Sequence, residues 1–415
     1  MPGPTAYFDP ATVDSLPAAT RDLVERRIRV LGPAYRLFYE EPVQFVRGRG
    51  TKLYTADGTE YLDAYNNVPS VGHAHPRVAA AIAEQAARLT THTRYLDRAL
   101  VDYAEDLVGE FPAPLRNVMF TCTGSEANDL ALRIAKAATD GTGIIVTANA
   151  YHGVTTEIAA ISPSLGGVES LAPWVRVVPA PGDGDFAHDV RNALKGFVAS
   201  GIRPAALIVD TIFASDGVRP VVPGFADAVA AVRAAGALFI ADEVQPGFGR
   251  LGTGMWGFAR HDLVPDLVTL GKPMGNGYPV AAVVARPELV AAFGDHARYF
   301  NTFGGSSVSI AAARATLDVV RDEKLVENAR VVGDYLLEQL PTIDGVLEVR
   351  GSGLFIGVRV ADERVALGAV NALKRRHILL GESGKDNDVL KIRPPLVFDR
   401  ADSDRLLEGL TGVLA

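Results

Sequence analysis

Apolar and polar positions along this chain fall into two alternating patterns. Short uninterrupted apolar runs, such as Ile144-Ile145-Val146-Thr147 and Ala237-Leu238-Phe239-Ile240-Ala241, have the length of strands buried on both faces. They occur at 118–121, 144–147, 175–178, 206–210, 238–242, 267–270 and 280–284. Between or before them the apolar residues recur at helical spacing, predicting helices at 76–89, 98–110, 125–138, 187–198 and 224–235. Strand–helix alternation of this kind argues for a mostly parallel sheet with helices on both faces.

The two ends of the chain read differently. Residues 1–45 are mixed and broken by prolines, an irregular arm with one helix near 19–31. Two short strands, 52–55 and 60–63, flank Ala56-Asp57-Gly58-Thr59, and the Asp-Gly pair predicts a hairpin. Beyond 306 two long helices, 307–321 and 325–340, lead into strands at 347–350, 353–360 and 389–392 and helices at 363–374 and 401–414. We therefore expect an N-terminal arm with hairpin (1–75), a large domain (76–320) and a small α+β domain (321–415).

Composition narrows the partners. The 415 residues exceed what one hydrophobic core usually serves, are 48% hydrophobic and 22% charged, and carry a net charge of −8. There is no basic run, so neither nucleic acid nor an anionic membrane is expected as a partner. No apolar stretch of about 18 residues is present to span a bilayer. Cys122 is the single cysteine, and Met1-Pro2-Gly3-Pro4 lacks the basic and apolar regions of a signal peptide. A reducing, cytoplasmic setting is the expectation.

The chemistry concentrates at strand tips. Lys272 follows the run 266–270, and Asp242 ends the run 237–241, both at positions where open α/β sheets bind ligands. A lysine and an aspartate so placed can be the poles of a pyridoxal phosphate site, one forming the Schiff base, the other keeping the pyridine nitrogen protonated. Thr121-Cys122-Thr123-Gly124-Ser125-Glu126-Ala127-Asn128 lies between a strand and a helix, where small residues and the helix start suit a phosphate; alone it equally reads as a helix capped by Ser125. Tyr151 of Tyr151-His152-Gly153 can stack on a ring, Val244 can cover the other face, and Gln245 can meet a phenolic oxygen. Thr302, in Phe300-Asn301-Thr302-Phe303-Gly304-Gly305, can donate to a phosphate or cap the following helix. The His73-Ala74-His75-Pro76 cluster lacks accompanying metal ligands and suits a structural role. Neither Gly-x-Ser-x-Gly nor an early Gly-x-Gly-x-x-Gly occurs.

In order and spacing, Thr123 to Asn128, Tyr151-His152-Gly153, Ala241-Asp242-Glu243-Val244-Gln245, Gly271-Lys272, Thr302-Phe303-Gly304-Gly305 and Pro394-Pro395-Leu396 resemble the class III (subgroup II) aminotransferases of pyridoxal phosphate fold type I. The resemblance covers nearly the whole chain. It implies a mostly parallel seven-stranded sheet flanked by helices, pyridoxal 5'-phosphate as cofactor, and a homodimer in which Thr302 reaches the partner's cofactor phosphate. It assigns Lys272 as Schiff-base lysine, Asp242 as pyridinium partner, Gly124 and Ser125 as phosphate cradle, and Tyr151 and Val244 as ring sandwich. Thr123, His152, Asp210 and Gln245 join the implied cofactor contacts.

Tyr65-Asn66-Asn67-Val68, Thr91 to Leu96, 350–358 and Leu390-Lys391-Ile392-Arg393-Pro394-Pro395 are most similar to the branch holding ethanolamine-phosphate phospho-lyase and alanine–glyoxylate aminotransferase 2-like proteins. Two departures from ω-amino-acid transaminases stand out. Lys391 occupies the place of the carboxylate-clamping arginine, and lysine lacks the planar bidentate fork. Ser215 occupies the place of the glutamate that screens that arginine. Both changes favour a lyase acting on an O-phosphorylated primary amine over an amine or ω-amino-acid:2-oxo-acid aminotransferase. Tyr65, Arg94, Lys391 and Arg393 are the candidate substrate contacts, the three cations for a substrate phosphate.

Overall fold

The computed structural model describes residues 6–182 and 184–414; Met1-Pro2-Gly3-Pro4, read above for targeting, lies outside them. Its centre is a seven-stranded sheet in the order Asn117–Thr121, Ala281–Ala285, Leu267–Leu270, Leu238–Asp242, Pro204–Asp210, Gly143–Thr147, Val175–Val178. Only Ala281–Ala285 runs antiparallel to its neighbours, as expected of a doubly covered α/β sheet. The strands are apolar along their whole length because both faces are packed: Leu207, Phe239 and Val268 join one core, Ile208, Ile240 and Leu267 the other.

Register sets the chemistry. Asp210 pairs with Asp242, and Asp242 with Thr269, so two carboxylates stand side by side at the carboxyl ends of adjacent parallel strands. The predicted elements recur within a residue or two, including helices Pro76–Arg88, Arg98–Gly109 and Gly124–Thr139. Helix Pro287–His296 was not anticipated, nor were strands Arg47–Arg49, Ile378–Leu379 and Gly381–Ser383, whose two to three residues hold too little periodicity to read.

The N-terminal hairpin is tied to the far end of the chain. Strand Glu60–Asp63 pairs antiparallel with Lys52–Tyr54 and parallel with Ile378–Leu379. Tyr61 and Leu62 consequently share one core with Ile356, Leu390, Leu406 and Leu410. A small antiparallel sheet, in the order Glu348–Ser352, Phe355–Arg359, Val389–Ile392, Gly381–Ser383, carries Lys391 toward the large sheet. Among the described residues no helix is long and apolar enough to cross a membrane.

Candidate active site

A cavity of about 320 Å³ opens at the carboxyl ends of the parallel strands. Thr123, Gly124 and Ser125 enter it after the first strand, and Tyr151 and His152 after the strand ending at Thr147. Asp210, Asp242, Val244 and Gln245 follow the two central strands, and Lys272 follows Leu270. Ten of the eleven residues expected at the cofactor thus line one wall-to-wall space.

Asp242 is the most constrained member. His152 Nδ1 lies 2.7 Å from its Oδ2, Asn128 Nδ2 donates to the same oxygen at 2.9 Å, and the Val244 N–H donates to Oδ1 at 3.1 Å. A carboxylate only accepts, so Nδ1 donates its proton to Asp242, while the buried Nε2 has no hydrogen-bond partner among the described residues. Oδ1 keeps a lone pair that the protein does not use, available to an N–H in the cavity. Asn128 completes the frame by accepting from Thr269 Oγ1 at 2.6 Å and donating to the His152 carbonyl at 2.7 Å. Its role was not assigned from sequence; the available signal is a polar residue on the buried, Ala- and Leu-rich face of its helix.

The phosphate-cradle segment is capped by Thr123, not by Ser125. Thr123 Oγ1 accepts the Glu126 N–H at 3.1 Å, while the Glu126 carboxylate reaches back to the Cys122 N–H at 2.7 Å. Ser125 is thereby released to accept the Val154 N–H at 3.1 Å. Gly124 and Gly271 permit a close approach: a Cβ at Gly124 would lie 2.9 Å, and one at Gly271 3.1 Å, from Val244 Cγ1. Val244 can therefore lie flat against the strand tips, with Tyr151, half-exposed, across the cavity and its ring centre 6.0 Å from Lys272 Nζ.

Charge is distributed unevenly around Lys272. Burial, and then Arg393, push its pKa below the usual lysine value, and Asp242 and Asp210 offset this only in part. Burial foremost, with Arg393 next, holds Lys391 at about 7. Arg250, fully buried, falls to about 9 for the same two reasons. Its Nη1 donates to the Leu354 and Pro394 carbonyls at 3.1 and 2.6 Å, clasping the small unit to the large one. Nothing in the local sequence marks Arg250, because its partners are about 100 residues or more away. Asp210 is pushed up to about 6 by burial, against the Ile212 and Ala214 N–H groups that hold it.

The four substrate candidates separate. Arg393 Nη1 hydrogen-bonds Gln245 Oε1, and its guanidinium lies 4.6 Å over the Tyr65 ring, so Tyr65 and Arg393, with Lys391 two residues before it, gather behind the cavity residue Gln245 and do not form part of the cavity lining itself. Arg94 does not join them. It is exposed and stacks 3.8 Å over Phe300, beside Thr302, and neither lines the Lys272 cavity of its own chain. Thr302 also does not cap the following helix, whose cap is Ser306. Arg94 was grouped with the cavity cations because sequence gives charge without direction. The His73 and His75 rings bond Asp63 and Glu323 at 2.6 and 3.0 Å.

A fold of this order with a lysine, a partnered aspartate and a capped helix at one cavity is that of a large α/β enzyme family. The family profile described as Aminotransferase class-III matches residues 38–414. The chain belongs to the class III aminotransferases. It is 38% identical over 443 residues to an alanine–glyoxylate aminotransferase 2-like protein of Drosophila melanogaster, covering 98% of this chain and 89% of the relative. An ethanolamine-phosphate phospho-lyase homolog 1 of Caenorhabditis elegans is 35% identical, covering 95% and 94%. Among solved structures, a phospholyase from Arthrobacter in complex with phosphoethanolamine superposes with a TM-score of 0.92 at 40% identity, covering 95% of this chain and 99% of that one.

Proposed function

We propose that this enzyme is a pyridoxal-phosphate-dependent phospho-lyase that eliminates phosphate from phosphoethanolamine or a similar O-phosphorylated primary amine. The observation that carries the reading is the buried cluster of Lys272, Lys391 and Arg250 around Arg393: burial first, and then the Arg393 charge, lowers the pKa of all three. An anion entering there relieves the repulsion and restores the lysines' charge. Phosphate suits a point-charge lysine beside an arginine better than it suits an empty carboxylate clamp. The names of the Caenorhabditis and Arthrobacter proteins support the same chemistry.

Pyridoxal phosphate, when bound, supplies an electron sink for the carbon that carries the substrate nitrogen. The residues present fit it. Lys272 would hold it covalently, Asp242 would keep a proton on its ring nitrogen through the spare Oδ1 lone pair, and Val244 and Tyr151 would cover its faces. The Gly124–Thr139 helix start, with Thr123 and Ser125, would take its phosphate. Gln245 would meet its phenolic oxygen, His152 would steady the Asp242 carboxylate, and Asp210 would lie beside it.

Once the substrate amine takes its place on the cofactor, the freed Lys272 would be an amine of lowered pKa able to take the proton from the substrate carbon bearing nitrogen. The C–O bond on the adjacent carbon then breaks, its electron pair leaving with phosphate. Water releases aldehyde and ammonia, so no 2-oxo acid is consumed. We further place Thr302 and Arg94 in a second copy's site. The exposed Tyr95, Leu96 and Phe303 around them, 66%, 104% and 69% accessible, form an apolar face suited to a homodimer. A lone cysteine suits the cytoplasm.

The test is phosphoethanolamine alone, without 2-oxo acid. Stoichiometric inorganic phosphate, ammonia and aldehyde are expected. Conversion of the cofactor to its amine form by simple amines, reversed by pyruvate, with no phosphate released, would instead assign an aminotransferase.

A further inference from the structure

We propose that Asn67 and Gln245 form an uncharged tether that fixes Arg393 as the anchor for the substrate's anionic group and leaves its charge uncompensated until substrate binds. The inference rests on the phospho-lyase reading for the identity of the substrate, and on the geometry alone for the tether. Arg393 stands just past strand Val389–Ile392, its own N–H donating to the Ala64 carbonyl at 2.9 Å. Its Nη1 donates to Gln245 Oε1, and Asn67 Nδ2 donates to the same oxygen at 3.2 Å. Arginine only donates, so the Gln245 atom facing it has to be the oxygen, and Gln245 Nε2 is turned toward the cavity that Gln245 lines.

Three consequences follow from this arrangement. One face of the guanidinium is occupied by the Tyr65 ring, 4.6 Å away. One edge is held by a neutral amide. The Nε atom is buried and has no hydrogen-bond partner among the described residues, so the Nε–Nη2 edge is the unpaired side of the fork, and a bidentate anion reaches it only by displacing the contacts that cover Nε. An amide orients the guanidinium as a carboxylate would, without cancelling its charge. Asn67 matters because its N–H fixes the Gln245 oxygen in place, and it is buried at 3% exposure. Neither Asn67 nor a link from Gln245 to Arg393 was assigned from sequence. The same glutamine touches the cofactor side through Nε2 and the anion side through Oε1, so substrate charge is sensed next to the reacting carbon.

The decisive variant is Gln245→Glu, which keeps shape and places a carboxylate on Arg393. Holoenzyme is titrated with inorganic phosphate by calorimetry, and KM and kcat are measured with phosphoethanolamine; the absorbance of the bound cofactor reports whether the site still assembles. Wild type should bind phosphate saturably. Gln245→Glu should weaken that binding by roughly tenfold or more, since the open charge becomes an internal ion pair, and should raise KM more than it lowers kcat. Asn67→Leu should weaken phosphate by about threefold through a loosened Gln245, the loss of one neutral hydrogen bond. Arg393→Met should abolish the binding. Phosphate binding in Gln245→Glu equal to wild type, or binding that survives Arg393→Met, would overturn the tether. Phosphate binding that depends on Arg393 and Gln245, without phosphate release from phosphoethanolamine, would remove the reaction assigned above and leave the tether standing.

Discussion

On the large-sheet side of the cavity, Asp242 is held by three protein donors, and every one of them comes from a strand tip or a helix start of the large sheet. On the small-sheet side, Lys391 and Arg393 stand in a cluster of cations whose nearest counter-charges, Asp210 and Glu382, only partly offset them. The first wall is complete as folded, and its spare lone pair awaits a single N–H. The second wall is left electrostatically incomplete, and completing it needs an anion from solution. On the function proposed above, the first wall would hold the permanent group and the second would select the transient one.

Four substitutions probe that contrast. The largest effect should follow Lys272→Ala, which removes the base while leaving the Gly124 and Ser125 cradle intact. Turnover should fall by several orders of magnitude, while an absorbance scan still detects bound cofactor. Full turnover in this variant would mean that another lysine acts.

Asp242→Asn should come next. The shape is kept but the charge is lost, so the ring nitrogen is no longer held protonated. A fall in kcat of about 10²-fold, roughly 2.7 kcal/mol of barrier, is expected in steady-state assays, and a near-wild-type rate would contradict the role of this wall.

A pH profile addresses the second wall. Lys391 titrates at about 7 in the absence of an anion, below its ordinary value, so its charged form is lost as pH rises through that value. The affinity for a phosphorylated amine, followed as 1/KM, should therefore decline above about pH 7 in the wild type. Lys391→Met should flatten that limb and raise KM several-fold at pH 6. An identical limb in Lys391→Met would assign the titration elsewhere.

Gly381→Ala should give the smallest effect. A Cβ there would collide with the Tyr65 ring, which supports the Arg393 guanidinium. Shifting that ring removes a cation–π contact of about 0.5–1 kcal/mol, so KM should rise about two- to fivefold with kcat little changed. A lower KM would show that Tyr65 restrains Arg393 in a poor position.

The first wall was legible in the sequence because its parts are local. Asp242 and Lys272 each end or follow an apolar run, and Gly124 and Ser125 fall between a strand and a helix, so period and punctuation alone bring them to one sheet edge. Even there the cap went to Thr123 instead of Ser125, since residue type marks a helix start without choosing between adjacent hydroxyls. Lys391 and Arg393 were visible as charges, but their company was not. Arg250, Gln245 and Tyr65 meet Arg393 across separations of more than 100 residues, and Arg94, similar in type, stacks on Phe300 away from them.

The sequence by itself determined the seven strands, their covering helices and the lysine–aspartate pair, because burial periodicity and turn chemistry act over a few residues. The tertiary structure decided the rest: the hairpin's pairing with Ile378–Leu379, the hydrogen bonds around Asp242, and the gathering of cations around Arg393. Charge and hydrogen-bond partnership are properties of distance and direction in space, and neither is written in the spacing of residues along a chain.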